Sequence, residues 1–343
     1  MTKSYYYCGM LRIPQKLVRF IALILGFYAS AKVSANEIPE IHAGYYIKSI
    51  QINNKEEKAT IDFYFWYRFE IPSDSSLIST LKSIEFVNGD IHSMEFFETK
   101  TIGKEHYVQG RAKGDFRFEA DYSAYPFDKQ IIPIQLEHST INDDKVRIVV
   151  DSTSYLMSGV EGTKWGLPGD ISLKDMIFEK ALFTTDSRLY NSNFGDLTLK
   201  NSKSKYSRMT YSIYVQRIST PYMLKFLIPL IIILGLAYLV FFIEAENLDL
   251  ACGLTVTSLL AAIAFQWTVS DDLPNIGYLT CQDKIFYLGY ILIMLAMVQT
   301  VWTYHLQKNG KDSLVQKVEI GGRWLYPVIF IGGLAYFILS SVQ

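Results

Sequence analysis

Four long apolar runs fill the last third of the chain, and no other feature of the sequence restricts the fold as strongly. Each run has close to the ~20 residues that a helix needs to cross a hydrocarbon layer of ~30 Å. Helices buried in a soluble protein seldom follow one another in four such runs. Residues 218–343 are therefore predicted to form four membrane helices, at about 222–243, 249–270, 285–306 and 324–342.

Residues 1–35 have the order of a signal peptide: a positive start, a short apolar core at Phe20–Tyr28, and then small residues. Cleavage is predicted after Ala35, with Ala31 as the alternative site. A first membrane anchor is the competing interpretation, but an apolar core of about 9–10 residues is too short to span a bilayer. Residues 36–217 are therefore expected to be exported.

The loops between the apolar runs predict the orientation. The linker between the third and fourth runs is basic, with Lys308, Lys311, Lys317 and Arg323, and basic loops face the cytoplasm. Residues 36–217 and the C-terminus then lie on the outer side of the membrane, in agreement with the signal peptide. The linker after the first run should also be cytoplasmic although it is acidic, because acidic residues carry little weight in this rule.

Residues 36–217 read as an all-β domain. The segment Ile61–Phe69 is rich in strand formers, and successive side chains of a strand point to opposite faces, so Phe63, Phe65, Tyr67 and Phe69 share one face that is assigned to the core. Further strands are predicted, with turn residues between them, at 44–52, 83–87, 105–109, 116–120, 131–137, 146–150, 174–183 and 208–215. Short strands with regular turns, including one at Lys113-Gly114, predict an immunoglobulin-like β-sandwich.

Composition and motifs argue against several classes of function. The chain carries 33 Lys+Arg against 34 Asp+Glu, a net charge of -1, so it has no basic field for nucleic acid. No nucleophile-elbow, zinc-protease, phosphate-loop or dinucleotide-binding motif occurs. The three cysteines and five histidines have no metal-ligand spacing. We therefore expect no enzyme activity, no cofactor and no metal site.

The segment Tyr125–Gln130 (YPFDKQ) is similar to the (F/Y)PFDxQ motif of one family. Together with Gln216-Arg217 and the four apolar runs, it makes nearly all of the mature chain resemble the prokaryotic branch of the pentameric ligand-gated ion channels, the Cys-loop receptor superfamily. The resemblance implies a homopentamer with a ligand-binding sandwich outside the membrane. Phe118 and Ile132 stand where animal members carry two cysteines that form a disulfide bridge, so this chain would lack the bridge. Bacterial members of the family lack it too.

The second apolar run suits a pore-lining helix, because small and polar residues recur in it at helical spacing. Five copies around an axis would stack these residues into rings. The resemblance places the pore-lining positions on the same stripe, with Pro274 just beyond the helix. Packing against the first and third runs is the competing interpretation. The stripe consists of Asp249, Gly253, Thr257, Leu260, Ala264, Trp267 and Asp271.

Ring chemistry predicts the roles along this stripe. A carboxylate at a membrane mouth is costly unless it faces water, so Asp249 is expected to attract monovalent cations, with Glu246 and Glu244 as alternative holders of that role. Rings of Leu260 and Ala264 can exclude water and act as the gate. Trp267 either adds an outer constriction or turns sideways between helices.

The resemblance implies a coupling site between sandwich and membrane. A buried salt bridge is expected between Asp128 and Arg217, and Pro126 and Phe127 lie in the same loop. The turn after the first strand would supply a third partner at Asn53, with Glu56 and Glu57 nearby. This loop and turn would press on the linker that contains Pro274 and tilt the pore helix.

The stimulus is left open between a small organic amine and protons. The resemblance implies an agonist site under a hairpin at Asp186–Tyr206, with Tyr190 and Phe194 on one subunit. Tyr64, Trp66 and Arg68 would come from the neighbouring subunit, and aromatic side chains can cage an amine. A membrane-anchored periplasmic binding or structural protein without a pore is the alternative function.

Overall fold

The computed structural model describes residues 38–70, 83–159, 161–169, 171, 173–195 and 203–342. The signal peptide predicted at 1–35 lies outside the described residues. The described residues before Ile218 form two β-sheets packed face to face. One sheet has the strand order β4-β5-β2-β1-β7 and the other β3-β6-β9-β8. The strands are β1 Glu40–Asn53, β2 Lys58–Glu70, β3 Ile84–Phe86, β4 Gly89–Ile102, β5 Glu105–Arg117, β6 Lys129–His138, β7 Arg147–Val150, β8 Met176–Tyr190 and β9 Ser204–Arg217.

Strand β2 shows how the sequence builds the sandwich. It lies in the middle of its sheet, antiparallel to β1 and β5. Phe63, Phe65, Tyr67 and Phe69 are each no more than 1% exposed, so the prediction that they form the core face is confirmed. Their rings meet core residues of both sheets, as Phe63 does with Phe86 at 5.3 Å between centroids. Burial of these side chains is the main force that holds the two sheets together.

The edge of the first sheet differs from the prediction. Strand β4 was not predicted, and the turn predicted at Lys113-Gly114 is wrong, because both residues lie inside the single strand β5. Gly114 faces Ile91 in a register that shifts by one residue beside it. A Cβ on Gly114 would lie 2.6 Å from the carbonyl oxygen of Asp90, so glycine is there for close strand approach rather than for a turn.

A short helix, α1, spans Ser152–Met157, and four long helices follow the sandwich. They are α2 Ser219–Tyr238 with a 3₁₀ turn at Leu239–Phe242, α3 Leu248–Ser270, α4 Cys281–Lys308 and α5 Asp312–Val342. All four are long and apolar enough to cross a membrane. Helix α5 begins before the apolar run at Trp324, because the basic linker continues as helix and its Glu319 and Arg323 pair one turn apart at 3.7 Å.

The long helices share an apolar core of their own. Phe226 and Leu230 of α2 pack with Ile285 and Phe286 of α4, and Ala262 of α3 joins them. Small side chains on α3 allow this close approach. The buried face of α3 consists of Ala251, Thr255, Ser258 and Ala262.

Candidate functional site

The face of α3 opposite to its buried residues is left uncovered by the rest of the chain. Leu260 is 63% exposed and Trp267 is 76% exposed, although both are large and apolar. Such exposure in a helix that packs well on its other side marks a surface that meets something other than its own chain. All seven positions of the predicted stripe are exposed: Asp249, Gly253, Thr257, Leu260, Ala264, Trp267 and Asp271.

Carboxylates stand at both ends of this face. Asp249 lies in the first turn of α3, where the helix dipole favours a negative charge. Glu246 is also exposed, but its Oε1 accepts a hydrogen bond of 3.0 Å from Nε2 of Gln307 at the end of α4. At the other end, Lys55 Nζ lies 3.0 Å from Asp271 Oδ1. Of these three carboxylates, Asp249 is the one whose side chain has no hydrogen bond or ion pair with another described residue.

The ion pair expected at the junction is present and buried. Arg217 donates from Nε to Asp128 Oδ1 at 2.6 Å and from Nη2 to Oδ2 at 3.0 Å. The two residues are 3% and 1% exposed. Burial disfavours the guanidinium cation, but the hydrogen bonds and charge of Asp128 outweigh it and raise the pKa of Arg217 above its ordinary value. Gln130 donates to Asp128 Oδ2 at 2.8 Å.

The third partner of this pair is Asn54, one residue after the expected Asn53. Asn54 Oδ1 accepts from Arg217 Nη2 at 3.3 Å. Asn53 instead accepts from the backbone N–H of Glu56 at 3.2 Å, which closes the turn between β1 and β2. Glu57 takes a left-handed backbone with φ of 52° in the same turn. Turn geometry therefore decides which asparagine faces the arginine, and composition alone could not show it.

The loop that carries Asp128 reaches the membrane helices. Phe127 packs against the apolar core of α2 and α4. The ring of Tyr125 meets that of Tyr222 in α2 at 6.1 Å, and the Tyr125 carbonyl accepts from the Gln282 N–H of α4 at 3.3 Å. Pro126 follows Tyr125 in this loop. Pro274 lies half-buried in the α3–α4 linker, and Tyr278 of that linker accepts from the Tyr122 N–H at 2.9 Å.

A cavity of about 630 Å³ lies beside the hairpin of β8 and β9. Tyr190, Phe194 and Tyr206 line it, with ring centroids 5.5 to 6.2 Å apart. Residues 196–202 of the hairpin lie outside the described residues. The sequence analysis named Tyr206 only as the end of the hairpin and did not predict it as a residue of this site. In the strand register Tyr206 lies opposite Arg188.

Charged side chains of both signs, Lys145 among them, line this cavity. Arg208 Nε pairs with Glu137 Oε1 at 2.5 Å, and the Tyr190 hydroxyl donates to the same carboxylate at 3.1 Å. Burial and the neighbouring Glu137 raise the pKa of Tyr190. Glu85 lines the cavity too and lies directly opposite Glu137 in the β3–β6 register. Arg208 compensates one of these two carboxylates.

The second group of predicted ligand residues, on the outer face of β2, is bound to its own chain. Trp66 donates its indole N–H to Asp151 at 2.9 Å, and Arg68 donates to Asp151 at 3.0 Å and to Glu105 at 2.7 Å. Tyr64 lies under the Arg111 guanidinium at 5.9 Å. Burial would raise the pKa of Asp151, but hydrogen bonds from Arg68, Ser154, Trp66 and Thr153 lower it far below its ordinary value.

Comparisons with known proteins agree with this architecture. No protein-family model matches the chain. The chain is 23% identical over 221 residues, 64% of its length, to a proton-gated ion channel of Gloeobacter violaceus. It is 22% identical over 201 residues to pH-sensitive chloride channel 2 of Anopheles gambiae, and 25% identical over 194 residues to neuronal acetylcholine receptor subunit alpha-9-II of Oncorhynchus mykiss.

The matched segments span 55%, 30% and 32% of those three relatives, which is about half of their length or less. All three are named as channels or receptor subunits, and one is a chloride channel. Together with the β-sandwich and the four apolar helices, these similarities confirm the family resemblance and a multi-pass membrane protein. In sequence and in architecture the chain is therefore similar to the pentameric ligand-gated ion channels of the Cys-loop receptor superfamily.

Proposed function

We propose that five copies of this chain form a cation-selective channel, gated by a small ligand or by protons, in which α3 lines the pore. The uncovered face of α3 is the observation that carries this proposal: its seven stripe positions are exposed while the opposite face is buried. In a homopentamer, neighbouring subunits would cover both sides of this face, and the stripe itself would face a water-filled pore. The sandwich and the C-terminus would lie in the periplasm and the lipid-facing helices in the bacterial inner membrane.

Cation selectivity is assigned to Asp249. Five carboxylates at one mouth would concentrate monovalent cations and repel anions. The ring can form because the Asp249 side chain is exposed on the stripe, whereas Glu246 is engaged by Gln307. One of the relatives is named as a chloride channel, so the test of this assignment is a measurement of cation against anion selectivity on this chain itself.

The gate is assigned to Leu260 and Ala264, with Trp267 above them. These side chains would form apolar rings that lose their water when the helices approach one another. Coupling is assigned to the Asp128–Arg217 pair, because the loop around Asp128 contacts α2 and α4 and Arg217 leads directly into α2. Pro126, Phe127, Pro274, Asn53, Glu56 and Glu57 would move with this junction.

The cavity beside the β8–β9 hairpin is the proposed agonist site. Three aromatic rings and the carboxylate of Glu85 suit a small organic amine, which gains from cation–π contacts and from a carboxylate. Trp66 and Arg68, with Tyr64, would approach this cavity from the neighbouring subunit. Protons are the competing stimulus.

The test is current measurement on purified protein in planar bilayers of defined lipid, across stepped pH and a panel of primary to quaternary amines. A gated current whose reversal potential follows a sodium gradient is the expected result, together with a fivefold subunit count by native mass spectrometry. A chloride-selective current would remove the Asp249 assignment. Silence under every trigger, with intact oligomers, would favour a periplasmic binding or structural protein anchored without a pore.

A further inference from the structure

Hydrogen bonds between polar side chains connect α3 to α4, on a side of α3 other than the exposed stripe. Gln266 of α3 donates from Nε2 to Asp283 Oδ1 at 2.9 Å. The Tyr290 hydroxyl of α4 donates to Gln266 Oε1 at 2.6 Å and lies 3.3 Å from the Ala262 carbonyl. Both ends of the Gln266 amide are therefore held by α4, and no other side-chain hydrogen bond among the described residues joins these two helices.

Asp283 has a second contact that fixes its position. Thr280 and Asp283 form a capping box at the start of α4, in which Asp283 Oδ2 accepts from the Thr280 N–H at 3.0 Å. The carboxylate thus uses one oxygen to begin α4 and the other to hold Gln266. A side chain locked on both sides transmits a displacement of the α4 terminus directly to the amide it binds.

The same first turn of α4 is attached to the sandwich. The Gln282 N–H donates to the Tyr125 carbonyl at 3.3 Å, and Tyr125 lies in the loop that leads to Asp128. The Arg217 guanidinium lies 5.0 Å above the Tyr125 ring. A continuous set of contacts therefore runs from the buried ion pair through Tyr125 and the start of α4 to Gln266, near the C-terminal end of α3.

We propose that Gln266, held by Asp283 and Tyr290, is a positioning residue that sets the orientation of the pore-facing stripe through α4. This inference rests on the proposed channel function. Under this proposal, movement of the sandwich reaches α3 through the first turn of α4 as well as through the α3–α4 linker. The bonds matter here because an amide that loses its partners among apolar helices has no water to replace them.

The test reports on the orientation of α3 without needing a known stimulus. Leu260→Cys is introduced into the full chain with Cys252→Ser and Cys281→Ala, and its rate of modification by a cationic methanethiosulfonate is followed by mass spectrometry. Gln266→Leu and Tyr290→Phe should each change that rate by about threefold or more, since hydrogen bonds between membrane helices have about that effect on an equilibrium. The double variant should change it no more than Gln266→Leu alone.

Matched controls separate this role from general loosening. Gln299→Leu removes an amide of α4 that bonds Val318 of α5 at 3.0 Å, and Tyr287→Phe changes the neighbouring ring. Both should leave the rate unchanged. Modification rates that are equal in wild type and Gln266→Leu would overturn the inference, even in a protein that conducts. Altered rates in a protein that never conducts would overturn the channel proposal and leave the positioning role standing.

Discussion

Lys55 Nζ lies 3.0 Å from Asp271 Oδ1, so the turn between β1 and β2 is paired with the C-terminal end of α3. The two side chains are 61% and 81% exposed. A pair so open to solvent adds little to folding stability and weakens as salt rises. The pair does, however, connect Asp271, the last charged residue of the α3 stripe, to the sandwich through Lys55.

Lys55→Ala should therefore change the response to the stimulus and leave folding unchanged. We expect the stimulus strength that gives half-maximal activation to differ from that of wild type, and this difference should be smaller in high salt because salt already weakens the pair. The thermal unfolding midpoint should equal that of wild type. Concentration–response curves at two ionic strengths and a melting curve in detergent measure both effects. Lys58→Ala is the control, since Lys58 pairs with Glu56 inside the same turn at 3.4 Å. Equal responses in wild type and Lys55→Ala would remove the pair from coupling.

Asp249→Ala should lower cation conductance and cation preference more than Asp271→Asn, because Lys55 already compensates Asp271. Single-channel conductance and reversal potentials in a sodium gradient give the comparison. Glu246→Gln is the control, as its carboxylate is held by Gln307. Reversal potentials that do not change in Asp249→Ala would reject its role in selectivity.

Leu260→Ser should produce a leaky channel, because a ring of hydroxyls keeps water in a narrow pore that a ring of leucines would expel. The expected measurement is a standing current without stimulus that pore blockers suppress. Leu259→Ser is the matched control: Leu259 packs against the core of α2 and α4, so its loss should lower stability without opening the pore. Wild-type closed-state current in Leu260→Ser would count against the gate.

Asp128→Asn should lower the free energy of unfolding by about 3–5 kcal/mol, because it leaves the Arg217 cation buried without its counter-charge. The thermal midpoint in detergent reports the loss. The adjacent Lys129 offers a control, since it pairs with Glu179 at 2.8 Å on the surface, where Lys129→Ala should cost less than about 1 kcal/mol. Similar melting of the two variants would show that burial of the Asp128 pair contributes nothing.

Asp151 predicts a definite pH dependence of stability. Its pKa is lowered in the folded chain by Arg68 and the other donors, so the stabilisation is complete above the unfolded value of about 3.9 and is lost as pH falls below it. The difference in melting midpoint between wild type and Asp151→Asn should stay constant from about pH 8 to 5 and shrink below about pH 4. A difference that changes between pH 7 and 5 would contradict the assignment and make Asp151 a candidate proton sensor.

Periodic patterns predicted the elements that obey them. Alternation at Phe63–Phe69 predicted a core face, and the length of the apolar runs predicted α2, α3 and α4 to within a few residues. The α3 stripe could be predicted because helical spacing alone decides which side chains share a face. Strand β4 could not, since its side chains are mostly exposed and it lacks the alternation of a buried strand.

Pairings between distant parts of the chain were harder to predict. The turn between β1 and β2 presents Asn54 rather than Asn53 to Arg217, a matter of one residue in a local register. Gln266 and Asp283 are 17 residues apart on different helices, and Asp151 lies 83 residues from Arg68. Polar partners of this kind depend on how elements dock, which hydrophobic periodicity does not encode.

Phe118 and Ile132, at the two positions where the family resemblance implies the bridging cysteines of animal members, are 5% and 0% exposed in the sandwich core. Both cysteines of the described residues, Cys252 and Cys281, are free thiols in the membrane helices. Among the described residues, the loop that carries Asp128 is thus held by apolar burial, by hydrogen bonds and by the buried pair with Arg217, and a reductant breaks none of these. Dithiothreitol added during purification would therefore leave these contacts untouched.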